Sequence, residues 1–123
     1  MGLIYKRMIL QGDRSNKEVT TLFDTGASQC FARKDIAEQV ATIAKAPTRL
    51  KFEAATGVVE TQEVIFAQIW LDRNPLFWTF YVLPDLTEEL ILGSDFFQRW
   101  KIRLDPEQEK ITFDPSALKL KLV

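Results

Sequence analysis

Apolar and polar positions alternate along most of the chain. Residues 3–10 and 18–24 read as two strands, the second, Glu18-Val19-Thr20-Thr21-Leu22-Phe23-Asp24, being rich in β-branched and aromatic types. Gly12-Asp13-Arg14-Ser15-Asn16 between them is turn chemistry, so an amino-terminal hairpin is expected. The period changes over residues 33–45, where Ile36, Val40 and Ile43 recur at spacings of four and three among alanines; this predicts a helix, with Pro47 just past its end. From Arg49 the alternation returns, with Leu50 and Phe52 set against Lys51 and Glu53, then the small Ala54-Ala55-Thr56-Gly57, then residues 58–70. That is a long hairpin with a small, flexible tip. Asp72-Arg73-Asn74-Pro75 predicts a turn and residues 76–83 a strand ending at Pro84.

Residues 88–92 lead into Gly93, where Ser94 is placed to cap a short helix from Asp95 to about Trp100. Strands over residues 101–104 and 110–113 flank the turn Asp105-Pro106-Glu107-Gln108-Glu109. In the tail, residues 117–123, Leu118, Leu120 and Leu122 alternate with Lys119 and Lys121, which predicts a strand in need of a sheet. With no internal repeat, low-complexity segment or linker, residues 1–123 read as a single, mainly β domain with one or two short helices.

Composition narrows the functions such a domain can serve. The 123 residues are 46% hydrophobic and 27% charged, the balance of a chain that folds around an apolar core. Lysine and arginine total 16 against 17 acidic residues and are scattered, so nucleic acid is not an expected partner. No apolar run approaches the roughly 20 residues of a membrane-spanning helix. The opening residues are too short in their apolar part for a signal peptide, and Lys6 stands where a myristoylation signal wants Ser or Thr. Cys30 is the one cysteine, which suits a reducing compartment, and the cytoplasm is the expected location. Histidine is absent, so this chain alone cannot carry a Ser-His or Cys-His mechanism. Any catalysis must run on carboxylates, lysines or tyrosines.

Asp24-Thr25-Gly26-Ala27-Ser28 closes an apolar strand with an aspartate followed by small residues able to bend sharply. Such an aspartate either caps local amides in a turn or presents its carboxylate from a loop on a rigid strand. A tripeptide alone occurs by chance, so a second feature has to support the chemical reading. Ile91-Leu92-Gly93, an apolar strand running through glycine into a short helix, supplies it.

On these residues the chain resembles the retropepsin family of retroviral and retrotransposon-type aspartic peptidases, over nearly its whole length. Asp24-Thr25-Gly26-Ala27-Ser28 is similar to the family's catalytic signature, Ile91-Leu92-Gly93 to its second motif, and the hairpin around Ala55, Thr56, Gly57 and Val58 to its flap. The resemblance implies a retropepsin-like acid-protease half-barrel with a flap hairpin. It also implies a homodimer, because the chain holds one such signature: Asp114 is followed by Pro115, and Asp95 reads as a first-turn helix acid. Thr25 would bond across the two-fold axis, Gly26 would let the backbone approach substrate, and Ala27 and Ser28 would line the cleft. Ser94 and Asp95 stand where retroviral members commonly have an arginine, which is closer to the retrotransposon and cellular branches.

The implied activity is endopeptidase cleavage of an extended peptide or protein, without metal or cofactor. The competing reading is a catalytically idle dimerisation or peptide-binding module of the same fold, and a weaker one is an unrelated small β-barrel. Cys30 reads as a small buried hydrophobe, and Trp70, Trp78 and Trp100 as core or interface anchors.

Overall fold

The computed structural model describes residues 3–54 and 57–118. Strands β1 (Ile4–Gln11) and β2 (Asn16–Phe23) form the expected hairpin, with Ile4 opposite Phe23 and Gln11 opposite Asn16. Because side chains alternate across a strand, Ile4, Met8 and Leu10 of β1 point into the core while Tyr5, Arg7 and Ile9 point out. β3 (Phe31–Arg33), α1 (Lys34–Val40), β4 (Ala44–Ala54), β5 (Gly57–Leu71) and β6 (Asn74–Leu83) follow. The chain then continues through β7 (Leu90–Leu92), α2 (Ser94–Trp100), β8 (Ile102–Asp105) and β9 (Lys110–Phe113).

Seven strands make one sheet in the order β1-β2-β7-β3-β6-β5-β4, and β1 also pairs with β5, setting Ile9 opposite Trp70 and Leu10 opposite Ile69. That second pairing curls the sheet into a barrel-like wall and removes the edge β1 would otherwise expose. Phe23, Phe80 and Phe96 and the aliphatic Ile4, Leu10, Ile65, Ile69, Leu76, Leu90 and Leu92 fill its interior, each worth about 1.5–3 kcal/mol of transfer free energy. β8 and β9 form a separate two-stranded sheet, with Ile102 buried and Leu104, Ile111 and Phe113 packed against the core.

Several expectations are corrected. The predicted helix over residues 33–45 stops at Val40, and Ile43 lies beyond it, partly buried against the core. The Val40 carbonyl is taken by the amides of Arg14 and Ser15 in the β1–β2 turn (3.0 and 3.1 Å), and Asp13 captures the Thr42 amide and hydroxyl at 2.7 and 2.6 Å. These long-range partners outcompete another helical turn, and Ala41 is already extended at φ −146°. Pro47, expected to follow the helix, lies within β4 at the register shift between Lys45 and Leu50, where its missing N–H costs no ladder bond.

The turn after β5 is tighter than the four residues expected. Asp72 and Arg73 both adopt positive φ (48° and 66°), the geometry of a two-residue hairpin turn, so Asn74 and Pro75 already belong to β6. Gly93, not Ser94, occupies the cap position of α2. Ala117 and Leu118 begin no strand: residues Pro115–Leu118 form a 3-10 turn with Ala117 buried, and the remainder of the predicted tail strand, including Leu120 and Leu122, lies outside the described residues. Trp100 is buried, as a core anchor should be, whereas Trp70 faces outward at 37% exposure.

Candidate active site

Asp24 is the first residue beyond β2, whose last residue, Phe23, is buried with its ring stacked on Phe97 of α2 at 6.0 Å. The loop it opens, residues 24–30, straddles the end of β7. β2 runs parallel to β7 on one side, with Phe23 opposite Leu92, and β3 runs antiparallel to it on the other, with Phe31 opposite Ile91. The strand entering the loop and the strand leaving it are therefore both fastened to the second motif. This is why the two motifs are far apart in sequence and inseparable in space.

Hydrogen bonds complete the attachment. The Asp24 amide donates to the Leu92 carbonyl at 2.9 Å, and the Ser94 amide donates to the Ala27 carbonyl at 2.8 Å. Within the loop the Ala27 amide returns to the Asp24 carbonyl at 3.1 Å. Gly93 is required by proximity: a Cβ there would lie 2.3 Å from the Gln29 carbonyl oxygen and 2.7 Å from that of Ala27. No side chain fits between those two backbones.

The Asp24 carboxylate is half-buried, and its Oδ1 accepts the Gly26 amide at 2.8 Å. Oδ2 has no hydrogen-bond partner among the described residues. The local-cap role and the presentation of a carboxylate thus coexist in one side chain. Thr25, Gly26 and Ser28 are exposed and Ala27 is partly covered, so this side of the loop faces outward. The other acidic candidates are engaged elsewhere. Asp114 accepts the Ser116 amide at 2.9 Å, a bond that lowers its pKa, and Asp95 accepts the Trp78 indole N–H at 2.9 Å.

The β4–β5 hairpin stands where a flap was expected. Ala54 pairs with Gly57, whose φ of 126° suits glycine, and Val58, opposite Glu53, is 65% exposed; Ala55 and Thr56 lie outside the described residues. Phe52 of this hairpin meets Phe31 edge-on at 5.0 Å and Tyr81 at 5.1 Å. The hairpin is thereby joined to the strand that leaves the Asp24 loop. A cavity lined by Val59, Glu60, Leu83, Pro84, Asp85 and Leu86 lies between β5 and the segment after β6.

Sequence reasoning did not single out Phe31, Tyr81, Tyr5 or Glu88. Tyr5 donates to Glu88 Oε1 at 3.4 Å, and its phenol pKa is raised by desolvation, by Glu88, and to a smaller extent by the charge of Asp24. Tyr5 thus remains a protonated donor at neutral pH.

A closed, mainly β barrel with a strand-borne Asp-Thr-Gly loop clasped by an apolar-apolar-Gly segment defines a retropepsin-like aspartic protease domain. Residues 10–99 match the family described as "gag-polyprotein putative aspartyl protease", and the chain belongs to that family. Its fold is similar to that of the retroviral protease-like domain of Ddi1 from Leishmania major, with a TM-score of 0.63 and 19% identity over 93% of this chain and 86% of that one. Simian foamy virus (mac) protease aligns with a TM-score of 0.48 and 9% identity over 76% of this chain and 92% of that one. The Legionella pneumophila protein Lpg0085 aligns with a TM-score of 0.45 and 16% identity over 77% and 86%. No curated protein matches the sequence.

Proposed function

We propose that the protein is a homodimeric aspartic endopeptidase whose two Asp24 carboxylates, one from each copy, activate a water against a peptide bond. The observation that carries this reading is the state of Asp24: half-buried, on a loop held by the Leu92 carbonyl and the Ser94 amide, and bordered by exposed Thr25, Gly26 and Ser28. One such carboxylate is half of a site. Two brought together across a two-fold axis cannot both ionise, so they share a proton.

The ionised member then takes a proton from the water as it attacks the scissile carbonyl. The protonated member hydrogen-bonds the carbonyl oxygen, and a proton passes to the leaving nitrogen as the C–N bond breaks. Thr25 would lock the paired loops, Gly26 would admit the substrate backbone, and Ala27 and Ser28 would line the floor. The flap residues Ala55, Thr56, Gly57 and Val58 would close over an extended peptide bound by strand addition. The buried free thiol of Cys30 fits a reducing, cytoplasmic setting.

Mixing tests the proposal. Excess Asp24→Asn chain, equilibrated with a fixed amount of wild-type chain, should suppress cleavage of a denatured protein substrate by drawing wild-type subunits into heterodimers. Undiminished cleavage would mean that a single chain carries the site. A wild-type dimer that binds peptide and never cuts it would favour the idle module.

A further inference from the structure

Asp95 does more than accompany a helix start. Its Oδ1 accepts the Phe96 amide at 2.8 Å and the Cys30 thiol at 3.4 Å, while its Oδ2 accepts the Trp78 indole N–H at 2.9 Å. No ion pair reaches it among the described residues. Three neutral donors from three elements thus converge on one partly buried carboxylate: α2 itself, β6, and the end of the Asp24 loop.

The thiol is the link that matters. Cys30 is fully buried, and burial pushes its pKa well above the usual thiol value, so the sulfur keeps its proton and can donate it. The same sulfur accepts the Gly93 amide at 3.3 Å, and the Cys30 carbonyl accepts the Tyr81 amide at 2.9 Å. Leu92, Gly93 and Ser94 hold the loop by backbone contacts that any side chain at 92 or 94 could leave in place. Asp95 is the one residue of this segment whose side chain hydrogen-bonds the loop, and it also holds β6 through Trp78.

We infer that Asp95 is a positioning residue for the active-site loop: its carboxylate, through the Cys30 thiol and the Trp78 indole, fixes the far leg of the loop, residues 27–30, against Gly93 and so sets the aim of Asp24. The inference rests on the peptidase reading for its consequence in catalysis, but its structural content stands apart from it. Asparagine at position 95 keeps the size and one acceptor oxygen and turns the other into a donor, which opposes either the indole N–H or the Phe96 and Cys30 donors.

Amide hydrogen exchange on the full chain reads the structural content without any assay of cleavage. In Asp95→Asn, protection of the Gly93 and Ser94 amides should fall by about tenfold or more while that of core amides such as Ile65 and Phe80 is retained. The Trp78 indole N–H resonance should shift as its acceptor changes. Trp78→Phe, a milder change that removes one donor, should lower protection at the same two amides by a smaller factor. Combined with Asp95→Asn it should restore part of the loss, because the amide then has no indole to oppose.

Where wild-type dimer cleaves peptide, Asp95→Asn should lower kcat by roughly tenfold with KM changed less than about twofold, since the damage is to aim and not to peptide binding. Unchanged protection at Gly93 and Ser94, or an equal fall at the core amides, overturns the inference whether or not the protein is a peptidase. Loss of protection without any cleavage by wild-type chain overturns only the peptidase reading.

Discussion

The Ser94 amide donates to the Ala27 carbonyl at 2.8 Å, joining the first residue of α2 to the loop that carries Asp24. A helix start usually leaves its first amides to water or to a capping side chain. Here one of them is spent on the Asp24 loop, and Gly93 takes the cap position because the loop backbone leaves no room for anything larger. Helix α2 and the Asp24 loop are therefore one mechanical unit.

Gly93→Ala should break that unit. Its Cβ would meet two backbone carbonyl oxygens, neither of which can rotate away as a side-chain end would, and the expected cost is about 1–3 kcal/mol with displacement of residues 27–29. Gly26→Ala, whose Cβ meets only Asp24 Oδ1 at 3.2 Å, should cost less. Urea midpoints of the two variants give the comparison; equal midpoints would contradict the close approach at Gly93.

Cys30 should be inert in the folded protein. It is fully buried and its thiolate is disfavoured by desolvation, so a thiol reagent at mildly alkaline pH should leave native protein unmodified and label one site per chain in denaturant. Rapid labelling of the native state would mean that the loop opens far more readily than its contacts indicate.

The two faces of β6 should respond unequally to truncation. Phe80 is fully buried, and Phe80→Ala is expected to cost about 3–5 kcal/mol. Phe77 is 54% exposed and stacks on the equally outward Phe66 at 6.4 Å, so Phe77→Ala should cost about 1 kcal/mol or less. Chemical denaturation measures both, and a larger loss from Phe77 would mean that the outer face is covered in solution.

Asp13 should contribute a pH-dependent stability. The Thr42 hydroxyl and amide lower its folded-state pKa below the ordinary carboxylate value. Its contribution is therefore complete above about pH 4, where the unfolded carboxyl is also ionised, and is lost as pH falls through the lowered folded value. Asp13→Asn should melt below wild type at neutral pH, with the gap narrowing toward about pH 2. A gap in Tm that is constant across this range would show that the carboxylate's charge plays no part.

Local chemistry carried a good deal of this protein. Alternation in residues 3–10 and 18–24 is enough for the β1–β2 hairpin, because a strand with one apolar face has one stable register against its neighbour. Asp24-Thr25-Gly26 and Ile91-Leu92-Gly93 were both legible, since each depends on residue types that few other local structures require. A helix beginning near residue 33 with Ile36 and Val40 on one face was legible from its spacing, and the observed helix starts at Lys34 with both of them buried.

What tertiary structure alone decided are the outcomes that depend on partners distant in the chain. Helix α1 ends at Val40 because Asp13, Arg14 and Ser15 compete for its last groups, and the barrel closes because Ile9 meets Trp70. Asp95 reads as an ordinary helix acid until folding brings Cys30 and Trp78 to its carboxylate. The types at these positions restrict what each can bond; which bond forms is settled by which elements the folded barrel sets side by side.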